Sequence, residues 1–340
     1  MNIRNVELSG SCHIVILGAG ASIASTKKDP ELHHFELPSM QNLPSVVGLN
    51  DILAHFPDNL ICPGDFEATY SNIAEHEPES PFLTEMNNRI YSYFNGLKLP
   101  NKPTIYDYLV MSLRRKDVIA TFNWDPFLYQ AWWRNYNHGS SPTLLFLHGN
   151  VAVGYNEDAN MIGWSNWVSP HSGRYYSPTQ LLFPVKHKNY TADIFIKRQW
   201  ESLQWRLSKE CNTNNITIFG YSAPVSDVDA ISLMKEAWGD KYQRNLEQFE
   251  FIDVKEEGEI LKSWTRFVYP KHYNCVKCFF DSSLALYPRR TEEAWFCHYK
   301  PNTEEEYFVE NNPVPRDFSS FQEMWDWYQP LIDKEKLFDD

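Results

Sequence analysis

The sequence lacks several features that would assign it to a specialised class of protein. No stretch approaches the roughly 20 consecutive apolar residues of a membrane-spanning helix, and the polar residues 1–10 do not form an apolar signal segment. Cysteine is scarce, with 6 in 340 residues, which does not indicate a disulfide framework. These absences predict a cytoplasmic, globular protein with reduced thiols and no membrane contact.

An excess of basic charge is also lacking. Lys and Arg number 31 against 44 Asp and Glu, so the formal net charge is −13. A protein that binds duplex nucleic acid along its surface usually carries the opposite sign. The local basic candidates are Lys186, Lys188, Lys197 and Arg198. Nucleic acid is therefore not an expected partner.

Short apolar runs indicate the fold class. Five of them have the length of a buried strand: His13–Leu17, Asp117–Thr121, Thr143–Leu147, Asn215–Phe219 and Glu250–Val254. Helix-compatible stretches such as Pro126–Tyr136 and Ile194–Cys211 lie between them. Alternation of this kind predicts an α/β fold with a Rossmann-like parallel sheet. Ligands of such sheets bind at the carboxyl ends of the strands.

Two long segments interrupt the alternation and suggest a domain organisation. We predict a sheet domain over residues 1–265, with a helical insertion at 29–116 and an aromatic-rich insert at 151–190. The insert is either a lid or a contact between subunits. Residues 266–340 are predicted as a C-terminal extension packed on that domain, ending in an amphipathic helix.

A glycine-rich turn follows the first apolar run. The residues Gly18-Ala19-Gly20-Ala21-Ser22 would let the backbone approach a pyrophosphate at a helix N-terminus. Ile23 stands where the GxGxxG motif has its third glycine, so a tight turn without a ligand is the alternative. On the phosphate interpretation Gly18, Ala19, Gly20 and Ser22 bind the ligand, and a bulky side chain at Gly20 should block binding without unfolding the domain.

Three further polar motifs follow later apolar runs. They are TFNWD at 121–125, LHG at 147–149 and GYS at 220–222. Together with GAGAS at 18–22, in this order, they resemble the motifs of the SIR2 family of NAD-dependent proteins. The resemblance extends from about Ile14 to Val254.

The departures from the family pattern refine the resemblance. Protein-deacylating sirtuins continue their first turn into a GIPDFR segment, whereas residues 23–28 here read IASTKK. Sirtuins also carry a zinc module with two CxxC pairs after the HG motif, but no cysteine lies between Gly149 and Glu210 here. The SIR2-like branch of bacterial antiphage defence systems lacks both features. Similarity to that branch implies an NAD glycohydrolase that releases nicotinamide and ADP-ribose, with NAD as substrate and no other cofactor.

The resemblance also implies roles for three catalytic candidates. Asn123 would orient a water molecule or a ribose hydroxyl, and His148 would act as a base near neutral pH. Asp125 would stabilise developing positive charge or orient a neighbour. The structural alternatives are a helix cap for Asp125, which precedes Pro126, and a turn histidine with satisfied hydrogen bonds for His148.

Further cofactor contacts are expected at the later strands. Ser222 and Asp253 are candidates for the adenosine ribose, with Gly220 beside them. Asp253 is otherwise a solvated strand end. The single CxxC of Cys275 and Cys278, with Cys297-His298, falls short of a zinc pattern, so we predict no metal site.

Other classes of function stay open from the sequence. The chain could be a non-catalytic module that binds NAD or ADP-ribose in a defence complex, or a nuclease or protein deacylase. No sensor domain is recognisable, and a toxic NADase must be silent until triggered. We therefore expect control by a homo-oligomer, by a separate sensor or ATPase partner protein, or by both.

Overall fold

The computed structural model describes residues 12–26, 37–185, 187–211, 213–224, 227–244, 246–299 and 311–336. These residues form ten strands: β1 (His13–Leu17), β2 (Val118–Thr121), β3 (Thr143–Phe146), β4 (Val153–Asn156), β5 (Met161–Trp164), β6 (Trp167–Val168), β7 (Tyr175–Pro178), β8 (Asn215–Phe219), β9 (Gln248–Ile252) and β10 (Tyr273–Val276). The helices of the same residues are α1 (Ala19–Thr26), α2 (Leu43–Val47), α3 (Asn50–Leu53), α4 (Phe66–His76), α5 (Pro81–Asn95), α6 (Ile105–Met111), α7 (Phe127–Asn135), α8 (Ile194–Leu207), α9 (Val228–Trp238), α10 (Glu257–Trp264), α11 (Ser283–Leu286), α12 (Thr291–Tyr299) and α13 (Phe321–Lys336).

A parallel sheet of six strands forms the centre of the fold. Its order is β10-β9-β8-β1-β2-β3, and every pair is parallel. Counted along the chain, this is the 3-2-1-4-5-6 order of the Rossmann fold. The order reverses between β1 and β8, which makes the carboxyl ends of these two strands the topological switch point. The predicted α/β fold with a Rossmann-like parallel sheet is confirmed.

Burial explains which strands the sequence revealed. Every residue of β1, β2 and β8 is buried, so these strands read as continuous apolar runs. The predicted run Glu250–Val254 is displaced, because β9 covers Gln248–Ile252. Strand β10 was not predicted. It lies at the edge of the sheet and has no buried residue, so it does not form an apolar run. It also carries the parallel sheet beyond residue 265.

Helices α2 to α6 occupy the described part of the segment that precedes β2. In α5 the buried residues Leu83, Met86, Ile90 and Phe94 recur at helical spacing and turn one face to the core. Helix α6 begins at a capping box, in which Asp107 Oδ2 accepts from the backbone nitrogen of Thr104 at 2.7 Å.

The aromatic-rich insert forms a second, smaller sheet. Its four antiparallel strands have the order β5-β4-β7-β6. The chain then runs back to the main sheet through residues 179–185 and 187–190, which we name the return segment. Within it, Leu182 donates its backbone N–H to His148 O at 2.9 Å. The insert is therefore tied to the strand-end region.

The C-terminal segment packs against α6. Tyr328 of α13 is fully buried, and its hydroxyl donates to the backbone oxygen of Tyr108 at 3.2 Å. The buried guanidinium of Arg289 donates to Met111 O at 2.9 Å and to Glu335 Oε2 at 2.8 Å. None of the helices in the described ranges is long and apolar enough to cross a membrane.

The turns after β1 and β8 meet backbone to backbone. Gly18 N donates to Phe219 O at 3.0 Å, and Gly20 N donates to Gly220 O at 3.1 Å. A Cβ added at Gly20 would lie 2.7 Å from Gly220 Cα. Gly220 itself has a φ of +62°, which favours glycine. The expectation that a bulky side chain at Gly20 would leave the domain folded is therefore wrong, because this contact has no room for it.

Replacing Gly20 by alanine should destabilise the protein. The new methyl group would force the two turns apart, and overpacking of this kind costs about 1–3 kcal/mol in the free energy of unfolding. Gly258→Ala in α10 is the matched control, since a Cβ there meets nothing within 4 Å. Urea unfolding of both variants measures the effect. Equal stabilities for the two variants would contradict the steric argument.

Candidate functional site

The carboxyl ends of β1, β2 and β8 bring three of the sequence-predicted residues together. Asn123, two residues beyond β2, donates its Nδ2 to Gly18 O at 2.9 Å. The turn of Gly18 is in turn bonded to Gly220 across the switch point. Within the described residues the Oδ1 atom of Asn123 has no hydrogen-bond partner. Because the side chain is half-buried, this oxygen remains available to a ligand or a water molecule.

Ser22 lies at the centre of a buried polar cluster. Its hydroxyl donates to Asp125 Oδ2 at 2.7 Å, accepts from Asn123 Nδ2 at 2.9 Å and lies 2.7 Å from the hydroxyl of Tyr106. Ser22 is only 1% exposed. The structure therefore places Ser22 within the protein's own network and not on a ligand-facing surface, in contrast to the predicted phosphate contact.

Asp125 bonds both to the start of α7 and to Ser22, while Pro126 occupies the N-cap position of the helix. The Oδ1 atom of Asp125 accepts from the backbone nitrogen of Phe127 at 3.2 Å, where α7 begins, while its Oδ2 accepts from Ser22. Burial raises the pKa of Asp125 to about 6, and the hydrogen bonds from Ser22 and Phe127 oppose this shift. The carboxyl group can therefore change its charge close to neutral pH.

Asn150 fixes the loop that carries Asn123, and sequence reasoning missed it. Its Nδ2 donates to Asn123 O at 3.2 Å and to Asp125 O at 2.7 Å. Its Oδ1 accepts from the backbone nitrogen of Ala152 at 3.0 Å. The signal in the sequence was its position directly after the LHG motif, where an asparagine can bond to neighbouring backbone.

His148 joins this region through an aromatic contact. Phe122 donates its backbone N–H to Leu17 O at 3.1 Å, and its ring packs edge-on against His148 at 4.9 Å. The ring of Phe122 also stacks on the ring of Tyr221, with the ring centroids 4.1 Å apart. His148 Nε2 lies 3.0 Å from the hydroxyl of Tyr190. Burial lowers the pKa of His148 to about 4, so the imidazole is neutral at pH 7.

The return segment is held over His148 by two carboxylates. Lys188 Nζ forms an ion pair with Asp227 Oδ1 at 2.8 Å, and its backbone N–H donates to Asp229 Oδ2 at 2.9 Å. Asp227 Oδ2 also accepts from the hydroxyl of Tyr221 at 3.0 Å. No motif in the sequence indicates this arrangement, because Lys188 is distant along the chain from Tyr221, Asp227 and Asp229.

The other basic residues singled out from the sequence form no free patch. Lys197 pairs with Glu201 at 3.8 Å, and Arg198 Nη1 donates to Asn160 Oδ1 at 3.0 Å. Lys186 lies outside the described residues.

The remaining predicted ligand contacts differ in accessibility. Ala19 and Ser222 are exposed, and Gly20 and Asp253 are half-buried. The Oδ1 atom of Asp253 accepts from the backbone nitrogen of Lys255 at 3.0 Å, which leaves its second oxygen for a ligand. The solvent-facing edge of the switch point thus consists of the start of α1 and the turns after β8 and β9.

A cavity of about 510 Å³ lies beside this region. One wall is formed by Tyr70 of α4 and by residues of α5, including Asn87. The opposite wall is the return segment, where Phe183 packs against Trp124 with ring centroids 5.5 Å apart. The cavity therefore borders the loop of Asn123, although neither Asn123 nor His148 lines it.

Metal ligands do not cluster in the part of the chain that the structure describes: it contains no group of three or more His, Cys, Asp or Glu residues arranged to hold an ion. Cys275 lies on β10, and the Sγ of Cys278 donates to Asp281 Oδ2 at 2.9 Å. The side chains of Cys297 and His298 lie outside the described residues.

Comparison with known proteins gives a likeness at the level of solved structures. No protein-family model matches the chain, and no curated protein matches it. A sirtuin structure on substrate affinity shares 12% identity over 78% of this chain and 88% of its own, with a TM-score of 0.39. A Sir2 homologue in complex with NAD shares 12% sequence identity with this chain. The alignment covers 78% of this chain and 84% of the other, with a TM-score of 0.36. A Sir2 complex with an inhibitor and 2'-O-acetyl-ADP-ribose shares 13% sequence identity with this chain. The alignment covers 86% of this chain and 95% of the other, with a TM-score of 0.38. These TM-scores are too low to assign a family or a ligand to this chain.

The buried His148 should make stability depend on pH. Protonation of the folded state requires a pH near 4, whereas the unfolded chain gains this proton at its ordinary pKa of 6.5. The unfolded state thus binds more protons between these values, and His148 lowers the free energy of unfolding as the pH falls through this window. His148→Gln removes this pH-dependent contribution to the free energy of unfolding. On acidification the variant should therefore lose about 3 kcal/mol less stability than the wild type.

Urea unfolding of both proteins at pH steps between 4 and 7 measures this difference. His13, which is also buried with a pKa lowered to about 4, is present in both proteins and cancels. Identical pH slopes for wild type and variant would show that His148 is not buried as described.

Proposed function

We propose that this chain binds NAD across the carboxyl ends of β1 and β8 and hydrolyses the bond between nicotinamide and its ribose. The observation that carries the proposal is the placement of Asn123. Its amide nitrogen is fixed by Gly18 and Ser22 at the topological switch point, while its oxygen is left for a ligand. Switch points are where open α/β sheets bind nucleotides.

The solvent-facing side of the site fits a dinucleotide. Helix α1 begins at the exposed Ala19, and a helix N-terminus attracts phosphate groups. Ser222 and Asp253 lie at the ends of the next two strands and offer oxygens for the hydroxyl groups of a ribose. Gly18, Gly20 and Gly220 contribute by letting the two turns approach each other.

The chemistry requires little proton transfer to the leaving group. Nicotinamide leaves the ribose as a neutral molecule, so no general acid is needed, unlike ordinary glycoside hydrolysis. Water supplies the hydroxyl group of ADP-ribose and releases one proton. Asn123 Oδ1 accepts a hydrogen bond from this water and orients it toward the ribose carbon.

His148 would receive the proton. Burial lowers its pKa to about 4, which leaves the imidazole neutral at pH 7 with a lone pair for the water but makes it a weaker base than an exposed histidine. Because Nε2 is paired with Tyr190, the tautomer suited to this role donates from Nε2 to Tyr190 and accepts at Nδ1. Asp125 acts through Ser22 to hold Asn123 and adds negative charge near the developing cation.

The biological setting proposed from the motifs is antiphage defence, in which NAD is depleted in an infected cell. The residues between the HG motif and α8 form an antiparallel sheet and contain no cysteine, which disfavours the zinc-bearing deacylase alternative. A cytoplasmic location and control by self-assembly or by a separate sensor or ATPase protein belong to the same proposal. The proposed NAD-binding unit is the parallel sheet with its helices, which was expected over residues 1–265 and which β10 extends beyond that boundary.

Removal of either catalytic candidate should abolish NAD cleavage. Asn123→Ala and His148→Ala should each reduce nicotinamide release by about 10²–10⁴-fold, since one orients the water and the other accepts its proton. The double variant should lose little more than either single one, because both residues serve one step. Chromatographic quantification of nicotinamide and ADP-ribose measures the loss.

Two exposed residues of the same types provide the controls. Asn101→Ala and His171→Ala replace side chains on the surface and should retain the wild-type rate. The assay is run on the isolated chain and, where that is silent, on the assembly in which the wild type is active. Near wild-type release by Asn123→Ala or His148→Ala would exclude hydrolysis at this site, and NAD binding without turnover in the wild-type assembly would favour a non-catalytic module.

A further inference from the structure

Tyr106 is the one member of the Ser22 cluster that the proposed chemistry does not use. It lies in the first turn of α6 and is fully buried. Its hydroxyl lies 2.7 Å from Ser22 Oγ and 3.3 Å from Asn123 Nδ2. A buried phenol in contact with a catalytic amide needs a structural or functional reason.

The hydrogen-bonding capacity of Ser22 defines the direction of the network. A hydroxyl group offers one donor and two acceptor positions. The donor goes to Asp125 Oδ2 at 2.7 Å, and one acceptor position takes Asn123 Nδ2 at 2.9 Å. The second acceptor position is left for Tyr106, which must therefore donate. The resulting chain runs from Tyr106 through Ser22 to Asp125, and Ser22 is saturated.

The donors of the Asn123 amide can be assigned in the same way. Its two N–H hydrogens go to Gly18 O and to Ser22 Oγ, both at 2.9 Å. If Ser22 turned its hydroxyl hydrogen toward Tyr106 in place of Asp125, the carboxylate would lose a donor in a buried site. With the phenol hydrogen directed at Ser22, such a turn would place two hydroxyl hydrogens against each other across the 2.7 Å contact.

We propose that Tyr106 is a positioning residue, which fixes the Ser22 hydroxyl and through it the orientation of the Asn123 amide. This inference rests on the proposed NAD hydrolysis for its catalytic consequence. Burial raises the pKa of Tyr106 well above its ordinary value, so the phenol remains a donor throughout the physiological pH range.

The surroundings of α6 hold the phenol in place. Thr104 and Asp107 close the capping box two residues before and one residue after Tyr106. Asp107 also accepts from Arg134 Nε at 2.6 Å and from Asn135 Nδ2 at 2.8 Å, both on α7. Because α7 follows directly on the loop of Asn123, the phenol and the amide share one rigid frame.

Tyr106→Phe removes the hydroxyl and keeps the ring. We expect kcat for nicotinamide release to fall roughly 10- to 100-fold, while KM for NAD changes less than threefold, since Asn123 acts on the water and not on the cofactor's affinity. In the Asn123→Ala background the same substitution should have no further effect. Tyr108→Phe, on the same helix and 4% exposed, is the matched control and should leave kcat unchanged.

A second readout is independent of catalysis. In protein labelled with ¹⁵N-asparagine, the side-chain amide resonance of Asn123 is identified by its loss in Asn123→Asp. The chemical shift of this resonance should change in Tyr106→Phe and stay the same in Tyr108→Phe. An unmoved resonance, or a moved resonance with wild-type kcat, would overturn the positioning role. A moved resonance in a protein whose wild type never releases nicotinamide would overturn NAD hydrolysis and, with it, the catalytic part of this inference.

Discussion

The backbone contact between the turns after β1 and β8 is the constraint on which the site depends. Gly18, Gly20 and Gly220 lack the side chains that would separate these turns, and their N–H and C=O groups bond across the switch point. This contact sets where α1 begins and where Gly18 O points. That oxygen is one of the acceptors that hold the Asn123 amide, together with Ser22 Oγ and the hydroxyl of Tyr106. The glycines therefore act first on the architecture and only through it on a ligand.

The polar groups at this edge are unusually buried for a site that would meet water. Ser22, Asp125 and His148 are each less than 10% exposed, and the accessible residues include Ala19, Ser222 and the half-buried Asn123. Such an arrangement places a small number of fixed dipoles at the surface and supports them with a network that is satisfied internally. Burial also explains the opposite pKa shifts, since it disfavours the charged carboxylate of Asp125 and the charged imidazolium of His148 alike.

Much of the fold could be predicted because buried parallel strands are continuous apolar runs, as in β1 and β8. The edge strand β10 has half-exposed and polar residues, and the short strands of the insert at 151–190 are interrupted by Gly and Asn, so neither shows a clear pattern. At the site, the motifs indicated Asn123, Asp125 and His148 as residues to examine. They could not show that Ser22 faces inward, nor that Tyr106 and Tyr190 complete the environment, because these contacts join positions far apart in the chain. The role of a glycine is equally invisible in sequence, since close approach to phosphate and close approach to backbone require the same residue.

The central claim is that NAD binds with its nicotinamide ribose beside Asn123. A crystal structure of the His148→Ala variant with NAD tests it most directly, because slow turnover should preserve the intact dinucleotide. The account predicts the pyrophosphate at the start of α1, the nicotinamide ribose beside Asn123 with room for a water molecule between its anomeric carbon and Asn123 Oδ1, and the adenosine ribose near Ser222 and Asp253. An NAD molecule bound away from the ends of β1 and β8, or a site that stays empty at saturating NAD in the active assembly, would contradict it.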